Sequence, residues 1–147
     1  MQPIAMVTLL EANYPATAAG VAQALSDLDC RLPSLHWGDR LAYALRLVLE
    51  ELIINIVTYG GQPIDTGWFS VMLTDDQDRT SLTIRDGGLP FDPTAAPQPP
   101  LDLPLAEREP GGLGLYFARV LASELHHVRE LGVNQTTAVF IHSLLND

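Results

Sequence analysis

Three short stretches carry residues whose types and spacing could do chemistry. In "LVLEELIINIVTYG", residues 47–60, Glu50, Glu51 and Asn55 interrupt an otherwise apolar run. Taking an ionised carboxylate out of water costs several kcal/mol, roughly, unless something compensates it. At about 100° per residue on a helix, Leu41, Leu45, Val48, Leu52, Ile56 and Tyr59 form one core-facing stripe. Glu51 and Asn55 lie together at the edge of that stripe, one turn apart, while Glu50 projects further round, near Asp39 and Arg46. Such a stacked pair of oxygen-bearing side chains can hold a hydrated divalent cation or orient a hydroxyl nucleophile. A hydrogen-bonded polar pair at a helix seam is the plainer alternative.

The second stretch, "IRDGGLPFDP" at residues 84–93, ends a strand in Asp86 followed by Gly87 and Gly88. Glycines let a backbone approach a flat ligand, and a carboxylate beside them can accept from its amino group. Taken alone, Asp-Gly-Gly is also a simple turn. The third, "EPGGLGLYFARVL" at residues 109–121, places Gly112 and Gly114 before and within the first turn of a helix. Bare amide hydrogens and the positive end of the helix dipole welcome phosphate there.

The elements that must position these residues follow from periodicity and turn signals. Residues 4–12 read as a strand, closed by Asn13 and Pro15, and residues 15–32 as a helix with Val21, Leu25 and Leu28 on one stripe. A second helix is predicted from near 35–39 to Tyr59, stopped by Gly60 and Gly61. Residues 67–74 and 80–86 form a hairpin around "DDQDR". Seven prolines between Pro90 and Gly112 make a long loop, either a functional lid or a disordered segment. A helix over 113–125 and strands in "HHVREL" and "TAVFIHSLL" complete the chain. This order predicts an α+β two-layer sandwich, with helices on one face of a mixed, mainly antiparallel sheet.

With 147 residues and 47% hydrophobic content, the chain is expected to be one compact domain, 1–147. No apolar run reaches the roughly 20 residues that span a bilayer, so a cytoplasmic, membrane-free protein is expected. The formal charge of −10 and eight scattered arginines without lysine argue against direct nucleic-acid binding. Cys30 is the only cysteine, which removes disulfides and thiolate metal sites and reads as a buried, inert thiol. His36, His126, His127 and His142 have no metal-ligand spacing and are expected at the surface or at strand edges.

Glu51 to Asn55, Asp86 to Gly88 and Gly112 to Gly114, in this order, resemble the three motifs of the histidine-kinase-like ATPase superfamily with its Bergerat ATP-binding fold. "DGGLPFDP", the proline-rich segment and "GGLGLYFARVLASEL" are particularly similar to the stand-alone anti-sigma-factor serine/threonine kinases of the RsbW and SpoIIAB type.

The resemblance implies ATP and Mg²⁺ as cofactors, with Asn55 ligating the metal and Glu51 acting as general base on a substrate hydroxyl. Asp86 would accept the adenine amino group, Gly88 would make room for the ring, and Thr136, or Thr137 in the alternative register, would help hold it. Gly112 and Gly114 would meet the phosphates, with Arg108 in an ATP lid at 93–111 reaching the terminal one. The implied function is a partner switch that phosphorylates a STAS-domain anti-sigma-factor antagonist. A sigma factor is a second implied partner, and the resemblance leaves room for a homodimer. The alternative is a nucleotide-dependent binding module without turnover. One departure bears on this choice: Tyr59 stands where many relatives carry histidine, a substitution also common within the group that leaves nucleotide binding intact without guaranteeing turnover. With no phosphoacceptor-histidine helix, a complete sensor histidine kinase is not expected.

Overall fold

The computed structural model describes residues 6–35, 38–95 and 112–145. The chain runs β1 (Val7–Pro15), α1 (Ala18–Arg31), α2 (Asp39–Tyr59), β2 (Trp68–Asp75), β3 (Arg79–Asp86), α3 (Gly112–Leu121), β4 (Glu124–Glu130) and β5 (Val133–Ile141). The five strands lie in the order β1-β2-β3-β5-β4, and every pairing is antiparallel. The helices cover one face of this sheet, which is the expected α+β architecture. The alternation of apolar and polar residues along each strand sets the two faces. Leu10 and Tyr14, Phe69, Val71 and Leu73, Leu82 and Ile84, and Ala138 and Phe140 are buried on the helix side.

Helix α2 buries Leu41, Leu45, Val48, Leu49, Leu52 and Ile53 against that face, the i, i+3, i+4 spacing of an amphipathic helix. Its stripe is turned from the predicted one at the C-terminal end, where Ile56 is only half-buried and Tyr59 is 52% exposed. There the last turn borders a cavity, with Ile56 and Val57 still partly packed against the core. Helix α1 is capped by Thr17, whose hydroxyl oxygen accepts from Gly20 N at 3.2 Å. It is tied to β1 by the Tyr14 hydroxyl, which donates to Asp27 Oδ2 at 2.7 Å while the ring stacks on Phe69.

Helix α3 stops at Leu121, short of the predicted Leu125. Ser123 N donates to Val139 O at 2.8 Å and Ser123 Oγ accepts from Ile141 N at 2.9 Å, so the chain is already drawn into the sheet.

Two single-residue expectations change. Cys30 is exposed on α1, away from its buried residues Gly20, Ala24 and Leu28. His142 is buried at 6% exposure: its Nδ1 donates to Gln77 O at 2.7 Å and its Nε2 meets Thr80 Oγ1 at 2.8 Å, which clamps the β2–β3 turn. Sequence spacing gives no sign of that clamp, because its partners lie across the sheet. Of the other histidines, His126 is exposed, His127 half-buried, and His36 lies outside the described residues. Among the described residues no helix is long and apolar enough to cross a membrane.

Candidate functional site

In-register pairing lays Tyr14, Phe69, Asp86, Asn134 and Arg129 in one row across all five strands. The row passes from aromatic to charged, and Asp86 sits where the change occurs, 6% exposed at the end of β3. Asp86 Oδ1 accepts from Gly88 N at 2.9 Å and from Asn134 Nδ2 at 3.1 Å. The turn after Asp86 is held against the end of α2, where Leu89 N donates to Gly60 O at 2.9 Å. A Cβ on Gly88 would stand 2.8 Å from Gly60 O and 3.0 Å from Asp86 Oδ1, so only glycine lets the two backbones meet.

Above this row opens a cavity of about 440 Å³, mouth included. Apolar walls from Leu52, Ile56, Ile84, Leu89 and Phe91 enclose the polar groups of Asn55, Asp86, Asn134 and Thr136. Apolar walls with a few convergent polar groups suit a small, mostly apolar ligand such as an aromatic heterocycle. The neighbouring row on the sheet sets the threonine register. Thr136 lies beside Ile84 and lines the cavity, its Oγ1 3.2 Å from His127 Nδ1. Thr137 turns to the opposite face, where its Oγ1 lies 3.3 Å from Thr83 Oγ1.

Glu51 and Asn55 share one side of α2, as helical spacing requires. Asn55 is 7% exposed and its Nδ2 donates to Glu51 O at 2.8 Å. That bond occupies the amide nitrogen and leaves Oδ1 as a hard oxygen donor beside the cavity, a donor suited to Mg²⁺. Glu51 is half-buried, and its carboxyl is raised above the ordinary carboxylate range, first by burial and second by the charge of Glu50. Glu50 itself is partly exposed and takes a bond from Arg46 at 3.2 Å, the i, i+4 pairing that helical spacing gives. Helix α3 meets α2 at Gly114, where an added Cβ would run into the Glu51 carboxylate.

The structure therefore gathers Asn55, Asp86 and Thr136 around one cavity, with Gly88 beneath Asp86 and Glu51 one turn from Asn55. Gly112 opens α3, and Gly114 lies against Glu51. Of the expected lid, Pro93–Ala95 form a 3-10 turn whose Pro93 lines the cavity. Arg108 and residues 96–111 lie outside the described residues. Two residues were missed by sequence reasoning. Asn134 shares the alternating face of Thr136, Ala138 and Phe140, a signal readable in "VNQTTAVF", whereas Arg129 becomes visible only through its pairing with Asn134. Among the described residues no group of three His, Cys, Asp or Glu side chains could hold a metal ion.

Comparison with known proteins gives three findings. Residues 14–140 match the histidine kinase-like ATPase domain family. The chain is 35% identical over 102 residues to the serine/threonine-protein kinase BtrW of Bordetella bronchiseptica, covering 69% of this chain and 72% of that protein. The fold superposes, at a TM-score of 0.62 and 16% identity, on the crystal structure of the RsbU and RsbW domains of Rv1364c from Mycobacterium tuberculosis. The match covers 90% of this chain and 32% of that longer one.

Proposed function

Because the chain belongs to the histidine kinase-like ATPase family, we propose that it binds ATP with Mg²⁺ and works as an anti-sigma-factor-type serine/threonine protein kinase. Its substrate would be the hydroxyl of a STAS-domain antagonist, with a sigma factor sequestered in the alternative state. The observation that carries this reading is Glu51, a half-buried carboxylate with raised proton affinity, one turn from Asn55 at the edge of the cavity that Asp86 lines. A pure binding module has little use for such a group.

In this reading the Asp86 carboxylate accepts from the adenine amino group, Gly88 keeps the turn close to α2, and Thr136 borders the ring. Asn55 Oδ1 would hold the metal, which when bound would supply charge neutralisation on the phosphates. Glu51 takes the proton of the attacking serine or threonine hydroxyl. The hydroxyl oxygen forms the new bond to the γ-phosphorus and the bond to the bridging oxygen breaks, with ADP leaving. Gly112 and Gly114 offer the start of α3 to phosphate. The roles proposed for Arg108 and the lid at 93–111 rest on family resemblance.

Tyr59, in the place of the histidine of many relatives, favours a second reading in which ATP is a structural ligand of a binding module. It lines the base cavity, at its α2 wall. Calorimetric titration with ATP and GTP, followed by transfer of labelled γ-phosphate to STAS-domain proteins that bind the chain, separates the two. ATP preference with transfer supports the kinase, and saturable ATP binding without transfer to any bound partner supports the module.

A further inference from the structure

Asp86 does not hold its orientation alone. Its Oδ1 is filled twice, by Gly88 N–H at 2.9 Å and by Asn134 Nδ2 at 3.1 Å. The same Asn134 nitrogen donates its second hydrogen to Leu89 O at 2.8 Å, and Asn134 Oδ1 accepts from Arg129 Nη1 at 2.9 Å. Both N–H bonds of the amide and its oxygen are thus engaged, at 3% exposure. Arg129 Nη1 also reaches Gly88 O at 3.1 Å, so one guanidinium fixes the amide and the glycine turn together.

We infer that Asn134 and Arg129 are positioning residues that determine the preference for a 6-aminopurine, by pinning Oδ1 of Asp86 and leaving Oδ2 as the acceptor offered to the base. The inference rests on the reading of Asp86 as the adenine acceptor. Its physical basis is valence. An Asn amide can point either way, but the guanidinium only donates, so it must face Oδ1 and the NH₂ must face Asp86. With Oδ1 saturated, the carboxylate cannot turn both oxygens toward the ligand. The remaining lone pairs attract an amino group and repel a carbonyl oxygen at the same ring position. Buried networks satisfied in this way are stiffer than their separate bonds.

The test compares two ligands, ATP and purine riboside 5′-triphosphate, which differ only in the 6-amino group, by calorimetric titration of the full chain with Mg²⁺. The parent is expected to bind ATP about 10- to 100-fold more tightly, the worth of one charge-assisted hydrogen bond. In Asn134→Leu that ratio should shrink at least ~5-fold, and in Arg129→Leu it should shrink in the same direction. Arg129→Lys should restore most of it, since one ammonium can donate to both Gly88 O and Asn134 Oδ1. General loosening of the fold would weaken both ligands equally and leave the ratio unmoved. Parental ratios in both Leu variants therefore overturn the inference. Should Asn134→Leu not fold, the Leu and Lys variants at exposed Arg129 decide alone. A parent that does not distinguish the ligands sinks the adenine reading itself, and the inference with it.

Discussion

The two ends of the site are built on opposite principles. At the end proposed to hold the base, Asp86 Oδ1, Asn134, Arg129 and the Gly88–Leu89 turn are tied together by hydrogen bonds across neighbouring strands. At the end proposed for the phosphates, Glu51 sits half-buried on an apolar helix beside Glu50, with its ionised form disfavoured. A satisfied network gives a fixed shape, which is what recognising a flat base requires. A carboxylate raised by burial gives proton affinity, which is what a general base requires. Shape is obtained here with stabilising contacts, and reactivity with a destabilised group.

The largest effect that separates the two ends is expected from Glu51→Gln. It keeps size and hydrogen bonding but cannot take a proton, so γ-phosphate transfer should slow at least ~100-fold while calorimetry finds Mg·ATP binding near the parent's. Asp86→Ala should do the reverse, weakening ATP about 30- to 150-fold through loss of a charged acceptor. Unchanged affinity in a folded Asp86→Ala protein would break the assignment of the base end. Asn55→Ala should weaken ATP about 10-fold in magnesium and little in its absence, as titrations with and without chelator would show.

A smaller effect falls on stability, and its sign follows from linkage. Glu51 binds its proton more tightly folded than unfolded, so its stabilising contribution is present at acid pH and is lost as pH rises through the raised value. Glu51→Gln should therefore resist urea better than the parent at neutral pH, with the difference closing toward the ordinary carboxylate range. Equal stability at both pH values would mean that burial does not strain the carboxylate.

How far the site was legible in the sequence tracks how local each residue's partners are. Glu51 and Asn55 are one turn apart on a single helix, and Asp86 and Gly88 share one turn, so periodicity and glycine chemistry marked them as candidates, while their roles came from the family resemblance. The α+β order of elements was equally readable, since each helix and strand carries its own pattern. Asn134 and Arg129 acquire their roles from register across β3, β5 and β4. The β4–β5 register is set by a two-residue turn at Leu131 and Gly132, both in the left-handed region at φ 52° and 79°. Leucine there is an unusual turn residue, and it hides a hairpin that Asn-Gly would have announced. The early end of α3 was also beyond local pattern, because Ser123 is claimed by partners in β5.

The most direct test of the contrast is the pH dependence of single-turnover γ-phosphate transfer from saturating Mg·ATP to the bound partner. If Glu51 is the base, the parental rate rises with pH through a titration displaced above the ordinary carboxylate range and then levels. Glu51→Gln should be slow and flat over the same range. A parental profile that is flat there, or one that survives intact in Glu51→Gln, would contradict the assignment of Glu51 as the proton acceptor.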